Sequence, residues 1–292
     1  MKIYVMPNLS KDLGLRYTKE VLSELLSDKN GRAGEVCISP ETAAGLHCDI
    51  AARCTVARLC DVRPELIIVL GGDGSIMRAS HYAAEISAPL LGINLGKVGY
   101  LAELETSEIP LLSDIFSGAY TVEERMMLKV EHLRGGKQVS EPLSALNDAA
   151  VAHGIVTKLT KLDLYCNGTI SCSYRSDGIV VSTPTGSTAY SLSAGGPVID
   201  PELSGICVTP VCPHSLWARP VIFSDKSVIE IINRCERGGD LNLTVDGGDT
   251  VQLEPDDVIR ITKSSSKTKL LRFNKHDNRS FYRVLYKKMS EI

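Results

Sequence analysis

Apolar and polar positions alternate in two different textures along this chain. In the first third, short apolar runs are separated by segments of helical period. Residues 2–6 (KIYVM) predict a strand, and residues 10–27 place Leu13, Tyr17, Val21, Leu22, Leu25 and Leu26 on one helical face. Residues 35–38 predict a second strand. Ser39-Pro40-Glu41 then opens a helix, with a capping serine and a proline in the first turn. A helix is expected over residues 50–60. Residues 66–70 (LIIVL) are uninterrupted by any polar side chain, the pattern of a strand buried on both faces. A helix from Ser75 to about Ala84, a strand over 89–93, a loop over 94–100 (NLGKVGY) and a short helix over 107–116 complete the series. Such alternation implies a parallel sheet covered by helices, with ligands outside the carboxyl ends of the strands.

Near Tyr120 the pattern shortens. Residues 125–131, 145–152, 161–166, 169–174, 178–182, 206–211, 228–232, 241–245, 250–253 and 258–262 read as strands divided by turn residues. Asn167-Gly168 and Asp246-Gly247-Gly248 predict tight hairpins. The expected architecture is an α/β N-terminal domain with a Rossmann-like parallel sheet (1–122) and a mostly-β C-terminal domain (123–266). Residues 263–269 (KSSSKTK) read as a solvated loop. A tail (267–292) is expected to return to the first domain through a helix over 279–289.

Composition narrows the class without naming a function. The 292 residues are 43% hydrophobic and 23% charged, with a net charge of -3, which is ordinary for a soluble enzyme and gives no sign of general nucleic-acid binding. No apolar run reaches the ~20 residues needed to span a bilayer, and MKIYVMPN reads as a first strand rather than a leader. The nine cysteines are odd in number and contain no C-x-x-C pair, so reduced thiols in a cytoplasmic protein are expected, without a structural zinc site. Cys54 and Cys60 are placed on the helix expected over 50–60, as small buried hydrophobes.

The chemistry concentrates in two places. The 66–70 strand runs into Gly71-Gly72-Asp73-Gly74-Ser75. Glycines allow positive φ and close approach of a ligand, and a helix start offers free N–H groups and a positive dipole end suited to phosphate. An acid held there can take a proton from a hydroxyl or help hold Mg²⁺; an aspartate that merely caps the helix fits the same residues. The loop is neither a Walker A sequence nor G-x-G-x-x-G, since Met77 stands where the third glycine would fall, which disfavours a hydride-transferring Rossmann enzyme.

The second place is Tyr174-Arg175-Ser176-Asp177-Gly178, followed by IVVS and by the run from Thr183 to Gly196 (TPTGSTAYSLSAGG). Its amides and hydroxyls suit sugar or phosphate oxygens and Tyr190 suits a base, but a polar capped turn with a core aromatic reads the same way. Asn147-Asp148 suits the vicinal hydroxyls of a ribose or a strand-end turn, and His214 and Arg219 in PHSLWARP fit structural roles. Together, GGDG after a buried strand, Asn147-Asp148, RSDGIVVSTPTGSTAYSLSAGGP and PHSLWARP resemble bacterial NAD kinases over essentially the whole chain. GGDG alone is also found in diacylglycerol and sphingosine kinases and, more distantly, in phosphofructokinases.

The resemblance implies transfer of the γ-phosphoryl group of ATP, with Mg²⁺ arriving on the nucleotide, to the 2′-hydroxyl of the adenosine ribose of NAD. It implies NAD bound between the two domains. It also implies a homo-oligomer, dimer or tetramer, whose neighbouring subunit completes the site, with neither nucleic acid nor membrane as partner. Carried over by motif, Asp73 is the catalytic base and Gly72 and Gly74 are nucleotide contacts. Asn147 and Asp148 hold a ribose. Asp177, Thr188, Ala189, Tyr190, Ser191, Leu192 and Ser193 contact NAD, Arg175 lies near a phosphate or the nicotinamide side, and Lys158 stands where the family often has a basic residue or histidine. No residue is assigned to a metal. Two positions depart from the pattern: Asp148 stands where Glu is commoner, and Asp246-Gly247-Gly248 lacks the glutamine often found at that turn. Two readings compete: a lipid or sugar kinase using the same GGDG, which gives no reason for the STPTGSTAY run, and an NAD-binding sensor without chemistry, which gives none for keeping Asp73, Asn147 and Tyr190 together.

Overall fold

The computed structural model describes residues 1–27, 34–46, 49–96, 99–154, 160–235, 241–274 and 281–290. They form two compact units, Met1–Glu124 with Thr268–Ile292, and Arg125–Lys267.

The first unit contains β1 (Lys2–Pro7), α1 (Arg16–Leu26), β2 (Glu35–Ile38), α2 (Pro40–Leu46), α3 (Asp49–Ala52), β3 (Thr55–Val56), β4 (Leu66–Gly71), α4 (Asp73–Ile86), β5 (Pro89–Asn94) and β6 (Leu104–Glu105). Its sheet runs β5-β4-β1-β2-β3 with every pairing parallel. β4 is buried at all six positions, as its unbroken apolar run requires. Ile3, Val5, Leu22, Ile38, Ile68, Leu70, Leu91 and Ile93 form the centre of the core. The order of strands reverses between β1 and β4, so the loops after these two strands flank the crevice where doubly wound sheets bind ligands.

Two expectations in this unit are corrected. Residues 50–60 are not one helix. α3 ends at Ala52, Thr55 and Val56 pair with Cys37 and Ile38 at the sheet edge, and Leu59–Asp61 forms a single 3-10 turn. Cys54 therefore lies beyond α3, and Cys60 is exposed in the 3-10 turn rather than buried on a helix. The open edge of β2 captured a segment whose weak helical pattern supplied little apolar face to bury, a case of tertiary context overriding propensity. The segment expected as a short helix over 107–116 is a 3-10 run, Thr106–Ser117, with Pro110 inside it. Proline lacks the N–H that a regular α-helix would use there.

The second unit begins within β7 (Tyr120–Arg134). It continues through β8 (Lys137–Gln138), β9 (Leu143–Ala145), β10 (Asp148–His153), β11 (Thr160–Cys166), β12 (Thr169–Ser176), β13 (Gly178–Ser182), α5 (Tyr190–Ser193) and β14 (Gly205–Val211). β15 (Val221–Ser224), β16 (Ile229–Asn233), β17 (Leu241–Val245), β18 (Thr250–Leu253) and β19 (Val258–Phe273) follow. One antiparallel sheet runs β15-β14-β13-β10-β17-β18, and β12-β11-β16-β19 form an antiparallel set on the other side of a shared apolar cluster that includes Leu128, Val151, Leu162, Val181, Ile206 and Leu243. The mostly-β reading of this half holds. Both hairpins form where expected: Asn167 and Gly168 have φ of 51° and 75°, and Asp246 and Gly247 have φ of 49° and 65°. Two successive positive φ values match the twist of the flanking strands.

β19 corrects a third expectation. Residues 263–269 lie inside this 16-residue strand, not in a solvated loop, and Thr268 is completely buried. A run of serines and lysines shows no apolar alternation, so its strand character is imposed by its neighbours. The end of β19 pairs with β5 (Lys269 with Pro89, Leu270 with Leu90) and so belongs to the first unit. α6 (Phe281–Ser290) follows. Phe281 packs on the Tyr100 ring at 5.7 Å between centroids, and Lys288 Nζ lies 4.2 Å from the same ring centre. The tail thus packs back on the α/β unit; residues 279–280 of the expected helix lie outside the described residues.

Candidate active site

The turn after β4 is built by close approach rather than by unusual backbone angles. None of Gly71, Gly72 or Gly74 has positive φ, contrary to expectation. A Cβ on Gly71 would meet Ser75 Oγ at 2.5 Å and one on Gly72 would meet Lys11 Nζ at 3.3 Å, whereas one on Gly74 would meet nothing within 4 Å. The loop is therefore compact underneath and open at Gly74. Gly72 is the N-cap residue of α4, with no side-chain cap, so the first N–H groups of this 14-residue helix are left for other acceptors.

Asp73 does not cap its own helix. Its carboxylate accepts the backbone N–H of Tyr100 at Oδ2 (2.9 Å) and of Leu101 at Oδ1 (3.0 Å). The receiving loop is itself anchored: Arg272 donates to the carbonyls of Leu101 (3.2 Å) and Ala102 (3.4 Å) and pairs with Glu103 and Glu123. Each carboxylate oxygen offers two acceptor positions, so one donor apiece leaves lone pairs for a substrate hydroxyl.

The loop after β1 joins this turn. Asn8 donates its backbone N–H to Leu70 (2.7 Å) and its side-chain amide to Ser75 Oγ (2.9 Å), while its own carbonyl accepts from Lys11 and Asp12. That places the Lys11 ammonium over Gly72, where it makes no ion pair with any described residue. Lys11 was not singled out from the sequence. No local pattern marks it; the side-by-side placement of β1 and β4, which brings it to this turn, is decided by the tertiary structure.

In the second unit the ends of three paired strands converge. Asp148 opens β10 opposite Ser182, the last residue of β13, and Ala149 lies opposite Val245, the last residue of β17. Thr183 donates its backbone N–H to Asn147 (2.9 Å) and its hydroxyl to Leu146 (2.5 Å). The Gly186 backbone approaches Asn147 so closely that a Cβ there would lie 2.0 Å from its carbonyl oxygen. Asp246 accepts the backbone N–H groups of Leu146 (2.7 Å), Asn147 (2.8 Å) and Asp148 (3.0 Å). From the sequence this aspartate was only a turn residue.

Asp148 is 6% exposed. Burial, and then the nearby Asp246 charge, raise its pKa to about 7 against the pull of the Tyr190 backbone N–H. The Tyr190 phenol is pushed up by burial and then by Asp148, Cys212 and Asp177. Asp177 precedes β13 and its carbonyl accepts the His153 N–H (3.1 Å), so it stands at the opposite end of the β10–β13 pair from Asn147 and Asp148. Tyr190, at 42% exposure, and Leu192 and Ser193 face outward; Thr188 and Ala189 are half-buried. The hydroxyls of the run are largely committed internally. Ser191 is buried on Thr209 (2.9 Å), Thr188 donates to the Thr185 carbonyl (3.2 Å), and Ser187 donates to the Pro184 carbonyl (2.6 Å). Arg175 is exposed on β12, with no described contact to that cluster, and its carbonyl accepts from the His214 N–H (2.8 Å). Lys158 lies outside the described residues. Gly72, Asp73 and Gly74 belong to the first unit and the remaining described candidates to the second.

Comparison with known proteins agrees along the whole chain. Residues 16–120 match the ATP-NAD kinase N-terminal domain and residues 146–273 the ATP-NAD kinase C-terminal domain. The NAD kinase of Moorella thermoacetica is 37% identical over 291 residues, covering 99% of this chain and 89% of that protein. The NAD kinase of Clostridium tetani is 44% identical over 226 residues, covering 77% and 80%. Among solved structures, yeast NADH kinase complexed with NADH superposes with a TM-score of 0.88 at 25% identity, covering 99% of this chain and 87% of that one. An NAD kinase from Archaeoglobus fulgidus in complex with ATP shares the fold with a TM-score of 0.68 at 24% identity, covering 98% and 99%. With both domains matched in order and a relative 37% identical over 99% of this chain, the chain belongs to the ATP-NAD kinase family.

Proposed function

We propose that this chain carries out the reaction of its family, transfer of the γ-phosphoryl group of ATP to the 2′-hydroxyl of the adenosine ribose of NAD, with Asp73 as the base. The observation that carries the reading is the Asp73 carboxylate, pinned by the amides of Tyr100 and Leu101 beside an open turn at Gly74. A secondary alcohol barely ionises at neutral pH, so its oxygen attacks phosphorus effectively only as its proton passes to a base within hydrogen-bond reach. The proton goes to Asp73, the new bond forms to the γ-phosphorus, and ADP leaves. Most of the acceleration comes from positioning and charge neutralisation. The free amides at the start of α4, together with Lys11, are assigned to the phosphates.

Asn147 and Asp148 are assigned to the ribose hydroxyls, and Tyr190 to a base through its exposed ring. Asp177, Arg175, Thr188, Ala189, Leu192 and Ser193 are assigned to the rest of NAD. Ser191 and Lys158 keep their assignments from the family motif alone. Mg²⁺ is written as part of the substrate Mg·ATP, where it offsets phosphate charge. No protein ligand is assigned to it.

A homo-oligomer is part of the reading, supported by the exposed Leu216, Trp217, Val221 and Ile222 around edge strand β15. A cytoplasmic setting is supported by the described cysteines standing as thiols rather than as disulfides. No helix among the described residues is long and apolar enough to cross a membrane.

The test incubates the protein with Mg·ATP and NAD and detects NADP with a dehydrogenase that accepts only NADP. Wild type is expected to form NADP, and Asp73→Asn to lose turnover by about 10³-fold or more while still binding NAD. Undiminished turnover by that variant removes Asp73 as the base. A phosphorylated lipid or sugar in place of NADP overturns the acceptor.

A further inference from the structure

We propose that Asp246 is a positioning residue for NAD binding, holding the backbone from which Asn147 and Asp148 reach the ribose. The inference rests on the ribose assignment above and adds a residue that the family motifs did not single out for it.

Three observations converge. Asp246 is buried, and its two carboxylate oxygens accept three successive backbone N–H groups, those of Leu146, Asn147 and Asp148, at 2.7, 2.8 and 3.0 Å. Its own N–H returns a bond to the Asp148 carbonyl at 2.9 Å, closing a two-way clamp between the β17–β18 hairpin and the start of β10. Its φ of 49° lies in the left-handed region, which an aspartate tolerates better than most residues. A lone hairpin needs none of these bonds; Asn-Gly would make the same turn.

The clamp also sets charge. The titratable groups packed around Asp148 are Asp246 from the hairpin and Tyr190 from α5, with Asp177 and Cys212 near Tyr190. Burial and then Asp246 hold the Asp148 carboxyl at about 7, so it gains its charge, and its full acceptor capacity toward hydroxyls, as pH rises through neutrality. Asp246 therefore couples the geometry of the pair to its ionisation.

The experiment measures NAD binding by calorimetry between pH 5.5 and 8.5 (about the range that brackets neutrality), beside steady-state kinetics, for wild type, Asp246→Asn, Asp246→Gly and Asp148→Asn. Asparagine and glycine both accept the left-handed backbone, so either variant keeps the turn if the other fails to fold. Wild type is expected to bind more tightly as pH rises, with an inflection near neutrality that Asp148→Asn abolishes. Asp246→Asn is expected to move the inflection down by about one pH unit. Both Asp246 variants are expected to weaken NAD binding about tenfold, with a smaller change in kcat. Variants that bind NAD like wild type, or that lose stability and kcat while the inflection stays in place, overturn the proposal. Wild type that binds no NAD at any pH overturns the functional reading instead.

Discussion

Asp73 Oδ1 lies 2.1 Å from the point where a Cβ on Gly99 would stand, and Oδ2 lies 2.8 Å from it. The Asp73 carboxylate thus occupies space that only a glycine leaves open, and the two amides that follow Gly99 complete its cradle. Gly99→Ala is expected to push the carboxylate or the loop aside. Overpacking of this kind costs about 1–3 kcal/mol of stability, and displacing the base by an ångström costs about 10²-fold in kcat. Thermal melting beside steady-state kinetics checks it. A variant with wild-type kcat would mean that Asp73 need not sit where the structure places it.

Lys11 stands over Gly72 without an ionic partner among the described residues, and the phosphates of ATP are the anions assigned to that turn. Lys11→Ala is expected to raise the KM for ATP about tenfold, because a charge-assisted hydrogen bond contributes about 1.5–3 kcal/mol. The KM for NAD should change little. Equal effects on both substrates would remove Lys11 from the phosphate assignment. Raising the salt concentration should narrow the gap between wild type and variant, since ions screen an exposed charge.

Gly186 opens the GSTAY segment where its backbone crosses Asn147, and a Cβ there would sit 2.0 Å from the Asn147 carbonyl oxygen and 2.6 Å from its Cα. Gly186→Ala must move the Asn147–Asp148 turn. NAD affinity is expected to fall about tenfold or more, with a loss of about 2 kcal/mol in stability. Calorimetric titration with NAD and urea denaturation read the two effects separately; unchanged affinity would separate the turn from NAD binding.

Asp257 makes a pH prediction remote from the proposed chemistry. It is buried, accepts two bonds from Arg134 (2.8 Å each) and one from the Glu254 N–H (2.9 Å), and lies 2.8 Å from His132 Nε2. Burial alone would raise its pKa, but Arg134, the Glu254 amide and His132 outweigh burial and bring it down to about 2. A carboxyl with a folded pKa below its unfolded value stabilises the fold above the unfolded pKa, near 4. That stability is lost as pH falls toward the folded value. Wild type is therefore expected to lose about 2 kcal/mol from this group between about pH 4 and pH 2. Asp257→Asn is expected to be about 3 kcal/mol less stable at neutral pH and to lack that acid-side decline. Parallel acid-side curves for the two proteins would show that Asp257 does not control it.

What could be read along the chain, and what could not, follows the range of the interactions. The buried β4 strand and the Asn167-Gly168 and Asp246-Gly247 hairpins are legible because apolar runs and left-handed backbone preferences act within a few residues. The helix expected over 50–60 and the loop expected over 263–269 were misread for the complementary reason. Thr55 and Val56 follow the open edge of β2, and the KSSSKTK run continues a strand whose partners lie far away in sequence.

The candidate site divides in the same way. The sequence alone determined that an acid follows a buried strand in a glycine turn, that an Asn-Asp pair precedes another strand, and that a hydroxyl-rich run marks the family. Only the tertiary structure decided what each acid holds. Asp73 binds amides 27 and 28 residues away, and Asp246 binds amides 98 to 100 residues away. Those pairings depend on which strands lie side by side and in what register, a property of the assembled sheets that no local pattern encodes.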